Sequence, residues 1–123
     1  MIGYVTLGTN DLERAAKFYD ELLAELGGKR FMEFEGAFIA WAVDPQQPGL
    51  AITKPFNKEA ASVGNGVMVA LAVDSPDKVD TLYKKALELG AKDEGPAGPR
   101  GDSFYAGYFR DPDGNKLNFF CST

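Results

Sequence analysis

The sequence predicts an α+β fold made of two βαβββ modules, and three observations support this prediction. Two segments carry apolar residues at helical spacing, and several shorter segments alternate in the manner of strands. The order of one strand, one helix and three strands occurs twice, with the second copy about 64 positions after the first. A chain of 123 residues is expected to form one domain. We assign residues 1–54 to the first module, 55–66 to a linker and 67–123 to the second module.

The first module opens with a predicted strand over residues 3–8, followed by a helix. Asn10 is a favourable N-cap residue, and Glu13 lies three positions later as in a capping box. Apolar residues then recur every three or four positions as far as Leu26, and Gly27 and Gly28 end the helix. Three strands are predicted to follow, at 29–34, 37–42 and 50–53. Glu35 and Gly36 form a turn signal between the first two.

The second module repeats this order after a polar segment. A strand is predicted over residues 67–73, and Ser75 caps a helix that begins with Pro76. Gly90 ends that helix, a short strand over 91–94 follows, and a loop rich in glycine and proline covers 95–102. The last two strands, 104–109 and 115–121, form a hairpin around the sequence Asp-Pro-Asp-Gly at 111–114. Proline and glycine in these positions favour a tight turn.

Strand alternation predicts that one face of the sheets carries small residues. In the first strand Tyr4, Thr6 and Gly8 share a face, and in the fifth Met68, Ala70 and Ala72 do so. Small, mostly apolar residues leave space above a sheet, which indicates a ligand cavity. A surface open to solvent and a surface covered by a partner subunit are the alternatives.

The composition excludes several classes of function. The chain has no histidine, so no mechanism can use an imidazole from it. A net charge of −5 opposes binding to nucleic acids or anionic membranes. The N-terminal residues lack the pattern of a signal peptide, and Cys121 is the sole cysteine, so no internal disulfide forms. We therefore expect a cytoplasmic protein with no nucleic-acid or membrane partner.

Three segments resemble the glyoxalase/bleomycin-resistance/dioxygenase (vicinal oxygen chelate) superfamily. They are the opening strand and helix over residues 5–19, the strand over 66–73 and the closing hairpin over 110–117. The resemblance implies that the curved mixed sheets form a half-open barrel with the helices on its outer face. It also implies a homodimer. Enzymes of this superfamily hold a divalent metal ion with about four side chains, usually His, Glu or Gln, whereas bleomycin-resistance proteins bind a drug without metal.

The resemblance also assigns the four metal-ligand positions, and they fall on Tyr4, Ala51, Met68 and Asn118. Because these residues are a poor set of ligands for a hard divalent ion, we expect no metal and no other cofactor. The sequence favours a protein that binds a small organic molecule over an enzyme. The alternatives are a lyase, isomerase or dioxygenase of the glyoxalase type, and a structural homodimer with a vestigial cavity. The predicted ligand-binding residues are Tyr4, Thr6, Trp41, Ala51, Met68, Arg100, Tyr105 and Asn118; catalytic residues are not assigned.

Trp41 and Arg100 have structural alternatives. Trp41 is suited to stacking on a planar ligand or to packing inside the protein. Arg100 is suited to binding a carboxylate or phosphate, or to remaining a solvated loop charge or an ion-pair partner.

Overall fold

The computed structural model describes residues 1–34 and 36–123, and the chain divides into two compact units, Met1–Val63 and Gly64–Thr123. Each unit contains one strand, one helix and three further strands, so the predicted α+β fold of two βαβββ modules is confirmed. The predicted turn residue Glu35 lies outside the described residues. The module boundaries at residues 54 and 67 stay predictions. Within 1–34 and 36–123, no helix is long and apolar enough to cross a membrane.

The first unit is a four-stranded sheet with one helix on it. Its elements are β1 (Tyr4–Gly8), α1 (Leu12–Ala24), β2 (Lys29–Phe34), β3 (Phe38–Ala42) and β4 (Gly49–Thr53). The strand order is β1-β4-β3-β2, with β1 parallel to β4 and the other neighbours antiparallel. The sheet is open, because β1 and β2 are its two edges.

The start of α1 differs from the prediction by one residue. Asp11, not Asn10, is the N-cap, and its side chain accepts a hydrogen bond from the backbone N–H of Arg14. Asn10 instead holds the segment after β4. Its Oδ1 accepts from the backbone N–H of Ala61 at 2.7 Å, and its Nδ2 donates to the carbonyl of Ala61 at 3.2 Å. The two adjacent residues are both good caps by type, and the tertiary contact to Ala61 separates their roles.

The core of the first unit lies between α1 and one face of the sheet. Ile39 and Trp41 of β3 are buried there, as are Leu50 and Ile52 of β4. The register pairs Trp41 with Leu50 and Ile39 with Ile52, which confirms that these side chains share a face. Tyr19 and Leu22 of α1 are fully buried.

The second unit repeats the arrangement. Its elements are β5 (Val69–Ala72), α2 (Pro76–Glu88), β6 (Lys92–Pro99), β7 (Phe104–Arg110) and β8 (Lys116–Ser122). The order is β5-β8-β7-β6, with β5 parallel to β8 and the other neighbours antiparallel. Ser75 caps α2 as predicted, since its Oγ accepts a hydrogen bond from the backbone N–H of Lys78 at 3.2 Å.

Strand β6 is longer than the sequence predicts. The glycine and proline residues predict a loop over 95–102, yet residues 95–99 extend the strand as far as Pro99. Two register shifts against β7, on either side of Gly95, accommodate this sequence. β6 is also an edge strand, where proline is tolerated because its missing N–H faces away from the sheet.

The predicted turn at 111–114 is confirmed. The carbonyl of Asp111 accepts a hydrogen bond from the N–H of Gly114 at 2.9 Å, and Gly114 has a φ of 92°. The Asp111 side chain accepts from the N–H groups of Asp113 and Asn115. This turn fixes the start of β8, and therefore which β8 side chains point away from α2.

Candidate functional site

Each sheet has a face that its own helix does not cover, here called its helix-free face. In the first sheet this face carries Tyr4 and Thr6 of β1 and Ala51 of β4, because Thr6 and Ala51 are register partners. Ala40 pairs with Ala51 from the other side. The structure therefore brings Thr6 and Ala51 together as neighbours, with Tyr4 two positions along the strand.

Aromatic rings form the exposed part of the first helix-free face. Tyr4 is 55% exposed and contacts Phe38 edge to face, with ring centroids 6.2 Å apart. Phe34 contacts Phe38 in turn, at 5.5 Å. Ala40 and Ala51 beneath are buried. A ligand on this face would therefore meet aromatic surface before it reached the alanines.

The second helix-free face has an open floor beside a buried amide. Ala70 of β5 pairs with Asn118 of β8, and Asn118 pairs with Tyr108 of β7, so the three side chains form one row across the sheet. Ala70 and Ala72 are exposed, whereas Asn118 is only 1% exposed. The small side chains leave space on one side of the amide, and the Tyr108 ring stands on the other.

The Asn118 side chain carries an unpaired acceptor. Among the described residues, its Oδ1 is the one buried side-chain oxygen or nitrogen that has no hydrogen-bond partner. Buried polar atoms are nearly always paired, since leaving one unpaired costs its desolvation energy. An unpaired acceptor on a face without a helix favours a donor from another molecule, either a ligand or a water.

Two cations flank the ring of Tyr108. The Arg100 guanidinium carbon lies 5.4 Å from the ring centroid, and the Lys116 Nζ lies 5.6 Å from it. Arg100 also donates to the backbone carbonyls of Pro96 and Gly98, at 2.6 and 3.0 Å. Its guanidinium thus holds the C-terminal half of β6, and the predicted contact with an anionic ligand stays a prediction. Alternation places Lys116 on the same face as Asn118, although sequence reasoning did not select it.

Trp41 and Tyr105 point toward the helices. The Trp41 indole N–H donates to Asp20 of α1 at 2.8 Å, and its ring contacts Tyr19. Trp41 is buried and packs against α1, and its stacking on a ligand stays a prediction. The Tyr105 hydroxyl donates to Asp80 of α2 at 2.7 Å, which raises the pKa of Tyr105. Neither side chain lies on the helix-free face with Asn118 or Tyr4.

Asp20 and Tyr83 have shifted pKa values, and each forms a hydrogen bond that stabilises the fold. The Arg30 guanidinium lowers the pKa of Asp20 through two hydrogen bonds of 2.8 and 2.6 Å. On α2, burial and a hydrogen bond to Asp93 raise the pKa of Tyr83 to about 12. Both groups join a helix to its sheet, and neither resembles an acid or base tuned for proton transfer near pH 7.

The four positions that the resemblance assigns to metal ligands carry residues that do not fit a metal ion. Ala51 has no donor atom, Met68 offers a soft thioether and is 40% exposed, and Tyr4 and Asn118 carry neutral oxygens. Elsewhere in 1–34 and 36–123, no group of three or more His, Cys, Asp or Glu side chains is arranged to hold an ion. The donor chemistry of the chain therefore disagrees with a hard divalent cation at the superfamily position.

Two surface clefts in the first unit lie away from its helix-free face. One, of about 450 Å³, runs along α1 and is bordered by Asp20 and Arg30, which bind each other. The other, of about 310 Å³, lies between the N-terminal side of α1 and the segment after β4, next to Lys54 and Lys58. Neither cleft contains a predicted site residue.

Comparison with known proteins gives a family match over nearly the whole chain. The model of the Glyoxalase/Bleomycin resistance protein/Dioxygenase superfamily matches residues 1–119. A search of curated proteins finds no match. Among solved structures, a glyoxalase/bleomycin resistance protein from Albidiferax ferrireducens T118 is similar, with 34% identity and a TM-score of 0.89. That alignment covers 98% of this chain and 98% of the other.

More distant structures share the fold alone. A lactoylglutathione lyase from Agrobacterium tumefaciens has 19% identity and a TM-score of 0.73, over 98% of this chain and 92% of that one. A glyoxalase/bleomycin resistance protein/dioxygenase family enzyme from Burkholderia phytofirmans PsJN has 17% identity and a TM-score of 0.78, over 98% of both chains. The fold is thus found in proteins described as enzymes and in proteins described by the superfamily name.

Proposed function

The chain belongs to the Glyoxalase/Bleomycin resistance protein/Dioxygenase superfamily, and we propose that it binds a small organic molecule on a helix-free sheet face without using a metal ion. The observation that carries the proposal is the row Ala70, Asn118 and Tyr108 on the second sheet. This row combines an open apolar floor, an unpaired acceptor and an aromatic ring. Ligand sites typically combine apolar walls with a few such polar groups.

The absence of suitable metal ligands supports a binder over an enzyme of the glyoxalase type. Such an enzyme uses its metal as a Lewis acid on the oxygens of the substrate. Tyr4, Ala51, Met68 and Asn118 supply no charged donor for that ion. The alternative, a lyase, isomerase or dioxygenase with a divergent site, would need its acid and base from other side chains. Asp20 and Tyr83, whose pKa values are shifted, form hydrogen bonds between a helix and its sheet.

A metal analysis and a ligand screen test the proposal together. Purified protein would be analysed for zinc, nickel, manganese and iron by mass spectrometry, and then screened against small aromatic molecules by two-dimensional amide NMR. We expect substoichiometric metal and ligand-induced shifts at the amides of β5, β7 and β8. One tightly held divalent ion per chain, or no response to any compound, would contradict the proposal.

A blocking variant makes the screen specific for the second helix-free face. Ala70→Phe would fill the floor beside Asn118, and because Ala70 is exposed, the core should tolerate it. Ala24→Phe, at an exposed position at the end of α1, is the matched control. We expect the first variant to lose the response at least tenfold and the second to keep it. Equal binding by both variants would show that the ligand binds away from this face.

We also propose that a second copy of the chain covers part of the exposed apolar surface, and that the protein works in the cytoplasm. Phe31 and Phe34 of β2 are 43% and 61% exposed, and exposed aromatic clusters are typical of interfaces. The single, buried cysteine suits a reducing compartment. Light scattering during gel filtration would measure the mass, and a monomer at all concentrations would refute the dimer.

A further inference from the structure

The chemistry around Asn118 restricts the kind of ligand that the second helix-free face accepts. We infer that the ligand carries an uncharged O–H or N–H donor, which hydrogen-bonds to Asn118 Oδ1, next to a flat apolar part that lies over Ala70. This inference rests on the proposed function and deepens it. It replaces the general expectation of a small organic molecule with a class defined by one donor group.

The need for a donor follows from the unpaired acceptor. Asn118 is 1% exposed, and among the described residues none donates to its Oδ1. A carbonyl oxygen accepts hydrogen bonds and cannot donate them, so a carboxylate, ether or ketone oxygen on the ligand cannot satisfy it. A hydroxyl or an amide N–H can.

The donor is uncharged because of the cations nearby. Arg100 and Lys116 both lie within 6 Å of the ring of Tyr108, which is the register partner of Asn118. An ammonium group brought to Asn118 would approach two positive charges in a partly buried place, where like charges repel strongly. A neutral phenol, alcohol or amide meets no such penalty.

The apolar part of the ligand is placed by the neighbours of Asn118. Ala70, its partner on β5, is exposed and ends in one methyl group. Ala72 extends the floor two positions further along the strand, and Phe120, its register partner, stacks on Phe104 at 5.3 Å. A planar ring fits above this row because nothing larger than a methyl group projects from β5 there.

Matched probes test the inference. Benzamide and phenol carry the donor, N,N-dimethylbenzamide and anisole lack it, and benzylamine carries a positive charge at neutral pH. Dissociation constants would be measured by amide NMR titration on the wild-type chain, and the side-chain amide signals of Asn118 followed directly. We expect each donor-bearing probe to bind at least tenfold more tightly than its methylated partner and than benzylamine, and to shift the Asn118 side-chain signals.

Asn118→Leu is the decisive variant, because it removes the acceptor while keeping a branched side chain of the same number of heavy atoms. This variant should bind the donor-bearing probe and the methylated probe of each pair with equal affinity. The Asn118→Gln variant keeps an amide and serves if the leucine variant fails to fold; with the oxygen displaced by one methylene, the preference should fall.

The outcomes separate this inference from the proposed function. Equal binding of benzamide and N,N-dimethylbenzamide, or an unchanged preference in Asn118→Leu, would overturn the inference and leave a metal-free binder. No response to either donor-bearing probe would overturn the inference as well. If the wider screen also gave no hit, the proposed function would fail with it.

Discussion

The unpaired oxygen of Asn118 makes a prediction about stability that needs no ligand. A side chain kept for binding can cost the free protein stability, because its polar atom is desolvated without a partner. Replacing Asn118 by Leu removes that atom, so we expect the free energy of unfolding to rise. Asn115→Leu is the matched control, because Asn115 is also buried but its Nδ2 donates to Asp111 Oδ2 at 3.0 Å.

The expected changes in the free energy of unfolding follow from the environments of Asn118 and Asn115. Relief of one buried unpaired acceptor is worth about 1–3 kcal/mol. The larger methyl groups of leucine introduce some strain, of about 1 kcal/mol. The net expectation for Asn118→Leu is a gain of about 1 kcal/mol, or about 3–5 °C in Tm for a chain of this size. Asn115→Leu removes a hydrogen bond to a carboxylate and should lose about 2 kcal/mol.

Urea unfolding followed by far-UV circular dichroism would measure both variants, with thermal scans as a second readout. We expect the free energy of unfolding to rise in Asn118→Leu and to fall in Asn115→Leu, with m-values like that of the wild type. If Asn118→Leu loses as much stability as Asn115→Leu, the oxygen of Asn118 is not a net cost, and the reasoning that links it to an external donor is refuted.

Three further predictions concern the helix–sheet contacts. Asp20→Ala leaves the buried Trp41 N–H without its acceptor and should cost about 2 kcal/mol in urea unfolding. Asp20→Asn keeps an oxygen that accepts from that N–H, so it should lower the free energy of unfolding by less than about 1 kcal/mol, since the ion pair with Arg30 is partly exposed. Equal losses in the two variants would contradict the claim that the Trp41 hydrogen bond matters more than the ion pair. Because the pKa of Asp20 is lowered in the folded protein, its contribution is complete above about pH 4 and is lost as pH falls through the folded value. The stability of Asp20→Asn should therefore approach that of the wild type in acid, whereas Asp20→Ala should stay less stable, because a protonated carboxyl still accepts from the Trp41 N–H and alanine cannot. A constant difference between wild type and Asp20→Asn from pH 7 to pH 2 would oppose the assignment. Gly107→Ala places a Cβ about 2.9 Å from the Tyr83 ring and should cost about 1–3 kcal/mol, and an unchanged midpoint would show that α2 moves freely.

Much of the fold was predictable from local patterns. The apolar spacing in α1 and α2, the Ser75-Pro76 start of α2 and the turn at 111–114 are short-range signals, and each is present in the structure. Two local predictions were wrong for a common reason. Residue type predicts the N-cap at Asn10 and a loop that includes 95–99, whereas the contact with Ala61 and the pairing of β6 with β7 depend on distant residues.

The positions of the candidate site residues were also predictable only in part. Alternation with a period of two was enough to place Tyr4 and Thr6 on one face, and Ala70 and Ala72 on another, because a strand reverses its side chains at every residue. The register of the neighbouring strands adds Ala51 to the first face and Asn118 to the second. It did not show that Trp41 and Tyr105 are held by α1 and α2 through Asp20 and Asp80.

Residue identity and strand geometry are enough to show that the chain supplies no imidazole and which residues of one strand share a sheet face. Which polar groups find hydrogen-bond partners depends on the packing of distant elements. Hydrogen-bond partners such as Trp41 and Asp20 meet across elements. That no described residue donates to Asn118 Oδ1 is likewise visible only in the folded chain.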